Sequence, residues 1–373
     1  MRWIMKKTII AVIAVVAVLA CGVTAYAIQG LDETKSTRIP ANDGYATITT
    51  DTVGGTIETT ADVLRSAVNE GKPGIHVTDT YSVFSMDKTF VSSLLDHLSG
   101  NSVSFHFGYN SAKTDVTFSI RDGNGNDIFA PKGRCVGEFP YSGSAAETLA
   151  VMSPQGKAVP IGAYYPDGSV VRWQLNGCGT YTLKNNDATF NDISKHWGAT
   201  YITFLASRGV ASGMGDGSFS PNQPLTRAQF ITFLAYMSME DVTKYSSDAF
   251  SDVTSGKWYY HYVSWAYTNG ITKGTSATQF SPEARVTREQ MARLTVTFFE
   301  YMGIDAKAIC SAQSFTDSNT ISSWAQDGVA KCQTMGIVSG YEDASFKPQG
   351  NATRAEAATI CSRIISYALI MPQ

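Results

Sequence analysis

The sequence predicts two folds in one chain: an α+β domain with a mainly antiparallel sheet, then an all-α domain of three helix–loop–helix repeats. Three observations carry this. Between residues 59 and 187, helical apolar spacing gives way to short runs that alternate with period two. After Asn186 one ordered set of motifs recurs three times. Hydrophobic residues make up 43% and charged residues 16% of 373, a globular composition with enough apolar matter for a sizeable core.

The first 27 residues read as a secretory signal peptide. Arg2, Lys6 and Lys7 precede an apolar run over residues 9–20, and Ala25-Tyr26-Ala27 is a small-x-small cleavage site. The run is short for a membrane span, so no permanent span is expected after cleavage. Cys21 is disfavoured as an acylation site because Leu19 stands where a small residue is preferred. Losing the leader takes 29 Lys+Arg to 26 against 32 Asp+Glu and moves the formal charge from −3 to −6. That balance argues against a nucleic-acid partner bound through bulk basicity. Five cysteines remain, and an exported chain can oxidise them. Cys135 and Cys178 are the candidate disulfide, which leaves an odd thiol among Cys310, Cys332 and Cys361.

Residues 28–58, rich in Thr, Gly and Asp, read as a leader segment with one strand at most. The small α+β domain follows over 59–187. A helix over 59–70 has Thr60 as its cap, Val63, Leu64, Ala67 and Val68 as its stripe and Gly71 as its stop. Phe90, Leu94 and Leu98, with Val91 and Leu95 beside them, predict a second helix ending near Gly100. Strands follow over 103–107, 116–120, 149–152, 161–165, 170–175 and 181–183, with residues 166–168 as a hairpin turn. Asp122, Asn124 and Asn126 have the spacing of calcium-loop ligands. The sixth position is Asp127 and the twelfth Gly133, so a turn is preferred over a metal site. His76, His97, His106, His196 and His261 show no metal spacing, and no nucleophile, zinc or phosphate-loop motif is found. No cofactor is expected.

The repeats span 188–240, 248–305 and 313–370. Each opens on Phe-x-Asp (Asp192, Asp252, Asp317), followed by a tryptophan (Trp197, Trp258, Trp324) and a Gly-x-x-x-Gly step. Phe-x-Pro and Thr-Arg close the set. The first glycine lies 18 residues before the arginine in every repeat: 209 to 227, 270 to 288, 336 to 354. Thr226-x-x-Gln229, Thr287-x-x-Gln290 and Thr353-x-x-Glu356 are capping boxes, so the threonines are helix caps. By register Cys332 and Cys361 face the core, as small apolar groups or as a disulfide between the two helices of repeat three. One helix pair cannot cover its own apolar faces, so the repeats must pack on one another.

These motifs resemble the S-layer homology family over residues 188–370. Asp216-Gly217-Ser218-Phe219-Ser220-Pro221 and the Thr-Arg-Ala-Gln or Thr-Arg-Ala-Glu helix starts carry much of the likeness. The resemblance implies a pseudo-threefold bundle whose grooves bind a pyruvylated secondary cell-wall polysaccharide. It also implies a secreted, wall-attached surface protein of a Gram-positive-type bacterium, with other surface-layer proteins as further partners. Residues 145–189, with the Tyr165-Pro166-Asp167-Gly168-Ser169 turn and Tyr181-Thr182-Leu183, resemble a module that precedes such repeats in clostridial surface proteins. A wall or glycan hydrolase, or an adhesin, tethered by the same repeats is the alternative.

On this resemblance the candidate polysaccharide ligands are Arg227, Arg288, Arg354, Trp197, Trp258, Trp324, Asp192, Asp252 and Asp317. A pyruvyl ketal carries a carboxylate, which suits arginine's planar fork. The arginines stand at first helical turns, where free N–H groups and the dipole also favour an anion; internal salt bridges are the alternative role. The tryptophans suit either core packing or stacking on sugar faces. The aspartates suit either sugar hydroxyls or the cap of each first helix. Repeat two has Thr275-Ser276-Ala277-Thr278 where repeat one has Asp216-Gly217. Gln229 and Gln290 replace the family's glutamate. The grooves are therefore expected to be unequal, the second being the weakest.

Overall fold

A computed structural model describes residues 43–143, 147–165 and 169–370. The signal peptide, residues 28–42 of the leader and the 166–168 turn lie outside these residues.

The N-terminal domain is two packed sheets with two helices. One sheet runs β1(Ala46–Thr49)–β3(Gly74–Thr78)–β4(Val83–Asp87)–β7(Cys135–Pro140)–β10(Val170–Gln174)–β9(Gly162–Tyr165). The other runs β2(Gly55–Thr60)–β5(Ser102–Tyr109)–β6(Asp115–Asp122)–β11(Gly179–Asn185)–β8(Leu149–Met152). The pair β1–β3 is parallel and the other pairings are antiparallel. Aromatic rings fill the space between the sheets: Phe84 of β4 stacks on Phe118 of β6 with centroids 3.9 Å apart, and Trp173 and Tyr181 close the same core. Strands β1 and β2 draw residues read as a leader into the sheets.

Helix α1(Ala61–Asn69) buries Ala61, Leu64 and Ala67 and leaves Val63 on the surface. Thr60 is its N-cap by backbone conformation, but its hydroxyl makes no capping bond, contrary to the expectation. Helix α2(Lys88–Leu95) starts at Asp87, whose carboxylate accepts from the Phe90 amide, and ends five residues before Gly100. The expected disulfide is absent. Cys135 and Cys178 are both free, as are Cys310, Cys332 and Cys361. Cys135 is buried, and the Cys178 sulfur sits among the Ile120 amide and the Ile128 carbonyl instead. Cys332 and Cys361 are buried as their register predicts.

The C-terminal domain is six helices in three pairs: α3(Ala199–Ser207) with α4(Arg227–Ser238), α5(Tyr260–Thr268) with α6(Arg288–Met302), and α7(Gln326–Thr334) with α8(Arg354–Ile370). Gly209, Gly270 and Gly336 follow the first helices at φ +69°, +73° and +69°, the left-handed stop that favours glycine. Three backbone bonds close the repeats into a cycle. Leu225 N–H donates to Ala352, Val286 N–H to Leu225, and Ala352 N–H to Val286. Each donor lies two residues before its repeat's arginine, so one repeat's position fixes the next.

The two domains share a core. Ile161 and Ala163, beside and within β9, belong to the apolar cluster of the helical domain. Arg208, 1% exposed, reaches out of the first repeat and donates to the carbonyls of Gly162, Leu149 and Glu147. Arg134, also buried, donates to the Ala368 carbonyl of α8.

Candidate functional site

All three capping boxes form as predicted. The hydroxyls of Thr226 and Thr287 accept from the Gln229 and Gln290 amides, and each glutamine carbonyl returns the bond to the cap's own N–H. Glu356 does the same for Thr353.

The helix starts are not open to an anion. The amides of Arg227 and Ala228 donate to Ala284 and Pro282 of the next repeat. Those of Arg288 and Glu289 donate to Gly350 and Pro348, and those of Arg354 and Ala355 to Gln223 and Pro221. Neighbouring backbone therefore satisfies the orphan donors that every helix start presents. This corrects the expectation of free N–H groups there. It also explains three arginines at dipole-opposed positions. Each guanidinium lies over a phenylalanine ring of the next repeat (Arg227 over Phe280, Arg288 over Phe346, Arg354 over Phe219), with Nε donating to that residue's carbonyl.

What the terminal nitrogens do then separates the three. Arg288 is fully engaged: one pairs with Glu356 at 3.1 Å and the other donates to the Ser339 carbonyl. Arg354 donates one to the Ser212 carbonyl. Among the described residues, Arg227 makes neither a terminal hydrogen bond nor an ion pair. Burial pushes its guanidinium down to about 10, with Asp252 opposing, so it stays charged at neutral pH.

Two clefts hold these groups. One of about 560 Å³ is roofed by residues 270–275, with Arg227 from repeat one, Gln290 and Arg293 from repeat two and Trp324 from repeat three on its walls. The other, about 750 Å³, is roofed by residues 337–343 and lined by Arg288, Glu356, Arg363 and Trp197. Each cleft thus draws on all three repeats. The glycine steps make the roofs: a Cβ on Gly274 or Gly340 would fall 2.5 Å or 3.2 Å from the ring of Phe250 or Phe315.

The tryptophans are surface groups, with Trp197, Trp258 and Trp324 at 40%, 52% and 51% exposure. The core alternative is thereby corrected. The aspartates do not cap the first helices, whose N-caps are Gly198, Tyr259 and Ala325. Each instead clamps its own repeat's Phe-x-Pro turn with both oxygens. Asp192 accepts from Phe219 and Ser220, Asp252 from Phe280 and Ser281, and Asp317 from Phe346 and Lys347. Ser220, Ser281 and Lys347 have φ of +56°, +58° and +54°, a conformation costly for side-chain residues that the clamp holds in place. Asp252→Ala is expected to lower unfolding free energy by about 2–3 kcal/mol, read as a reduced urea midpoint for the whole chain.

The residues replaced in repeat two do change the lining of its cleft. Its missing Asp-Gly pair leaves a roof without a carboxylate, and the cleft beneath holds the least engaged guanidinium. Lys273 and Arg293 were not singled out from the sequence, whereas Gln290 was. The glutamine-for-glutamate replacement was the one visible signal. Among the described residues no group of three His, Cys, Asp or Glu side chains could hold a metal. Asp122 instead accepts from the amides of Asn124 and Asn126 in a turn. No helix among them is long and apolar enough to cross a membrane.

A family model described as the S-layer homology domain matches residues 189–231, 249–292 and 314–358. The chain is 36% identical over 217 residues to an amylopullulanase of Thermoanaerobacterium thermosulfurigenes, covering 54% of this chain and 12% of that protein. It is 36% identical over 186 residues to the exoglucanase XynX of Acetivibrio thermocellus, covering 50% and 17%. It is 30% identical over 177 residues to the S-layer protein sap of Bacillus anthracis, covering 47% and 21%. The matched stretch is therefore a fifth or less of the length of most of these relatives, which share it across differently named proteins.

Proposed function

The chain carries three S-layer homology domains, and from that premise we propose that it is secreted and anchors itself non-covalently to a bacterial cell wall by binding an acidic secondary polysaccharide. The observation that carries this reading is the Arg227 guanidinium, charged, lacking a carboxylate partner and facing an open cleft with an exposed tryptophan on its wall. A pyruvyl ketal would present a carboxylate to the arginine while its ring lies on Trp324. One charge-assisted contact of this kind contributes about 1.5–3 kcal/mol, and several clefts on one polymer add avidity. The cyclic backbone bonds support a pseudo-threefold bundle as the scaffold. The aspartates act through the loops they clamp.

The anchor is best regarded as non-catalytic. The differently named relatives match it only in part, and the sequence of the N-terminal domain carries no paired-carboxylate or Cys/His motif. The test is a pull-down of the full chain on purified Gram-positive cell walls, before and after chemical removal of their secondary polymer. Retention is expected on intact walls, to weaken with salt and to vanish on stripped walls. Equal retention on stripped walls would rule the reading out.

A further inference from the structure

In the first sheet, Ile75, Val77, Phe84 and Met86 point into the core between the sheets, so His76 of β3 and Ser85 of β4 stand on the opposite face. The two are direct partners in the β3–β4 register. His76 Nε2 lies 2.8 Å from Asp43 Oδ2. Its ring stacks on Tyr45, with centroids 4.4 Å and planes 7° apart. Gly74 seats that tyrosine, since a Cβ there would fall 2.5 Å from its ring. His76 is 4% and Ser85 7% exposed, yet neither His76 Nδ1 nor Ser85 Oγ has a hydrogen-bond partner among the described residues. Orphaned buried polar atoms are costly, and two at facing positions call for one explanation. Arg134 lies two residues before Val136, the β7 partner of Ser85, on the same face. Its guanidinium is held by Gln174 and the Ala368 carbonyl and interacts with Tyr45.

The geometry points to a serine acyl-transfer site in the N-terminal domain: Ser85 is the nucleophile, His76 the general base, Asp43 the group that orients it, and a short-chain carboxylic ester the substrate. This activity is separate from wall attachment and does not rest on it. Asp43 accepts from Nε2–H, which leaves the Nδ1 lone pair toward Ser85. Residues directly opposite on antiparallel strands have Cβ atoms about 4.5–5.5 Å apart, so rotation of Ser85 about χ1 carries its hydroxyl to within reach of Nδ1. As Oγ bonds to the ester carbonyl carbon, its proton passes to Nδ1. The carbonyl oxygen takes the negative charge, which the Arg134 guanidinium offsets. The C–O bond to the alcohol then breaks, and the alcohol leaves with the proton from His76. Water next gives a proton to His76 and attacks the acyl-serine, releasing the carboxylic acid and returning the proton to Ser85. Asp43 stays ionised throughout and stabilises the imidazolium. Asp43 and Tyr45 are only partly buried, so the approach to Ser85 lies past Tyr45. Val136, packed on the helical domain, bounds the other side, and a niche this enclosed admits only a short acyl chain.

Full-length wild type, Ser85→Ala, Asp43→Asn and Tyr45→Ala are tested with p-nitrophenyl acetate and with a fluorophosphonate that labels activated serines, the labelled peptide being mapped by mass spectrometry. Wild type is expected to hydrolyse the ester and to carry the label on Ser85. Ser85→Ala should lower hydrolysis by about 100-fold or more at an unchanged urea midpoint. Asp43→Asn should lower kcat by about tenfold or more with KM unchanged, which a merely structural role would not do. Tyr45→Ala uncovers the hydroxyl and should speed labelling by about threefold or more. Hydrolysis by Ser85→Ala equal to that of wild type, or no label on Ser85 in either wild type or Tyr45→Ala, would overturn the inference while leaving wall attachment standing.

Discussion

Replacing Arg208 by alanine is expected to lower the chain's unfolding free energy by about 3–5 kcal/mol, the largest stability loss of any single side-chain truncation considered. Arg208 is buried at the junction of the two domains and donates to carbonyls on both sides: Phe204 in its own helix, Gly162, Leu149 and Glu147 in the sheets. Its guanidinium lies 3.5 Å from the centroid of the Phe204 ring. Burial pushes its proton affinity down, to a pKa of about 9, with Tyr165 and Glu147 opposing, so the charge persists at neutral pH. Truncation would strand those carbonyls and open a cavity between α3 and β8–β9. Hydrogen exchange in β8 and β9 should accelerate together with exchange in α3 and α8, because the elements meet at one interface. A loss under 1 kcal/mol, or exchange confined to one domain, would show that the domains are independently stable.

That junction was not legible in the sequence, and the reason is physical. Strands β3, β4 and β7 were missed because they do not alternate. In β3, Gly74 to Val77 are buried without interruption, and β10 is buried along its whole length. The sheet is covered on one face by the second sheet and, around β9 and β10, on the other by the helical domain. Period-two patterning marks only strands with one wet face. The reading of β10 survived because Val170 and Val171 are β-branched and Trp173 is aromatic. By contrast β5, with Val103, Phe105 and Phe107 inward and Ser104 and His106 outward, declared itself by alternation.

The helical half was more legible. Repeats print the same solution three times, so capping boxes, left-handed glycines and buried cysteines could be placed by register alone. What register could not show is how the repeats engage one another. Arg354 meets Phe219 across 135 positions of sequence, and Ala352 meets Leu225 and Val286. No local pattern encodes such contacts. The part the arginines take in closing the cycle was therefore not visible in the sequence. The unequal grooves were anticipated from the replaced residues in repeat two.

The second large effect concerns Arg227. Arg227→Met keeps an apolar stem against Phe280 and removes the charge and the fork, so it separates binding from packing better than alanine would. Loss of a charge-assisted contact worth about 1.5–3 kcal/mol corresponds to roughly a 10- to 150-fold weaker dissociation constant. The most direct measurement is the dissociation constant of full-length wild type and Arg227→Met on the same intact walls, at low salt, with a urea midpoint for each. The account predicts a loss of at least tenfold in affinity and a midpoint shifted by no more than the one lost bond to Phe280. Equal affinity in a folded Arg227→Met protein would contradict it.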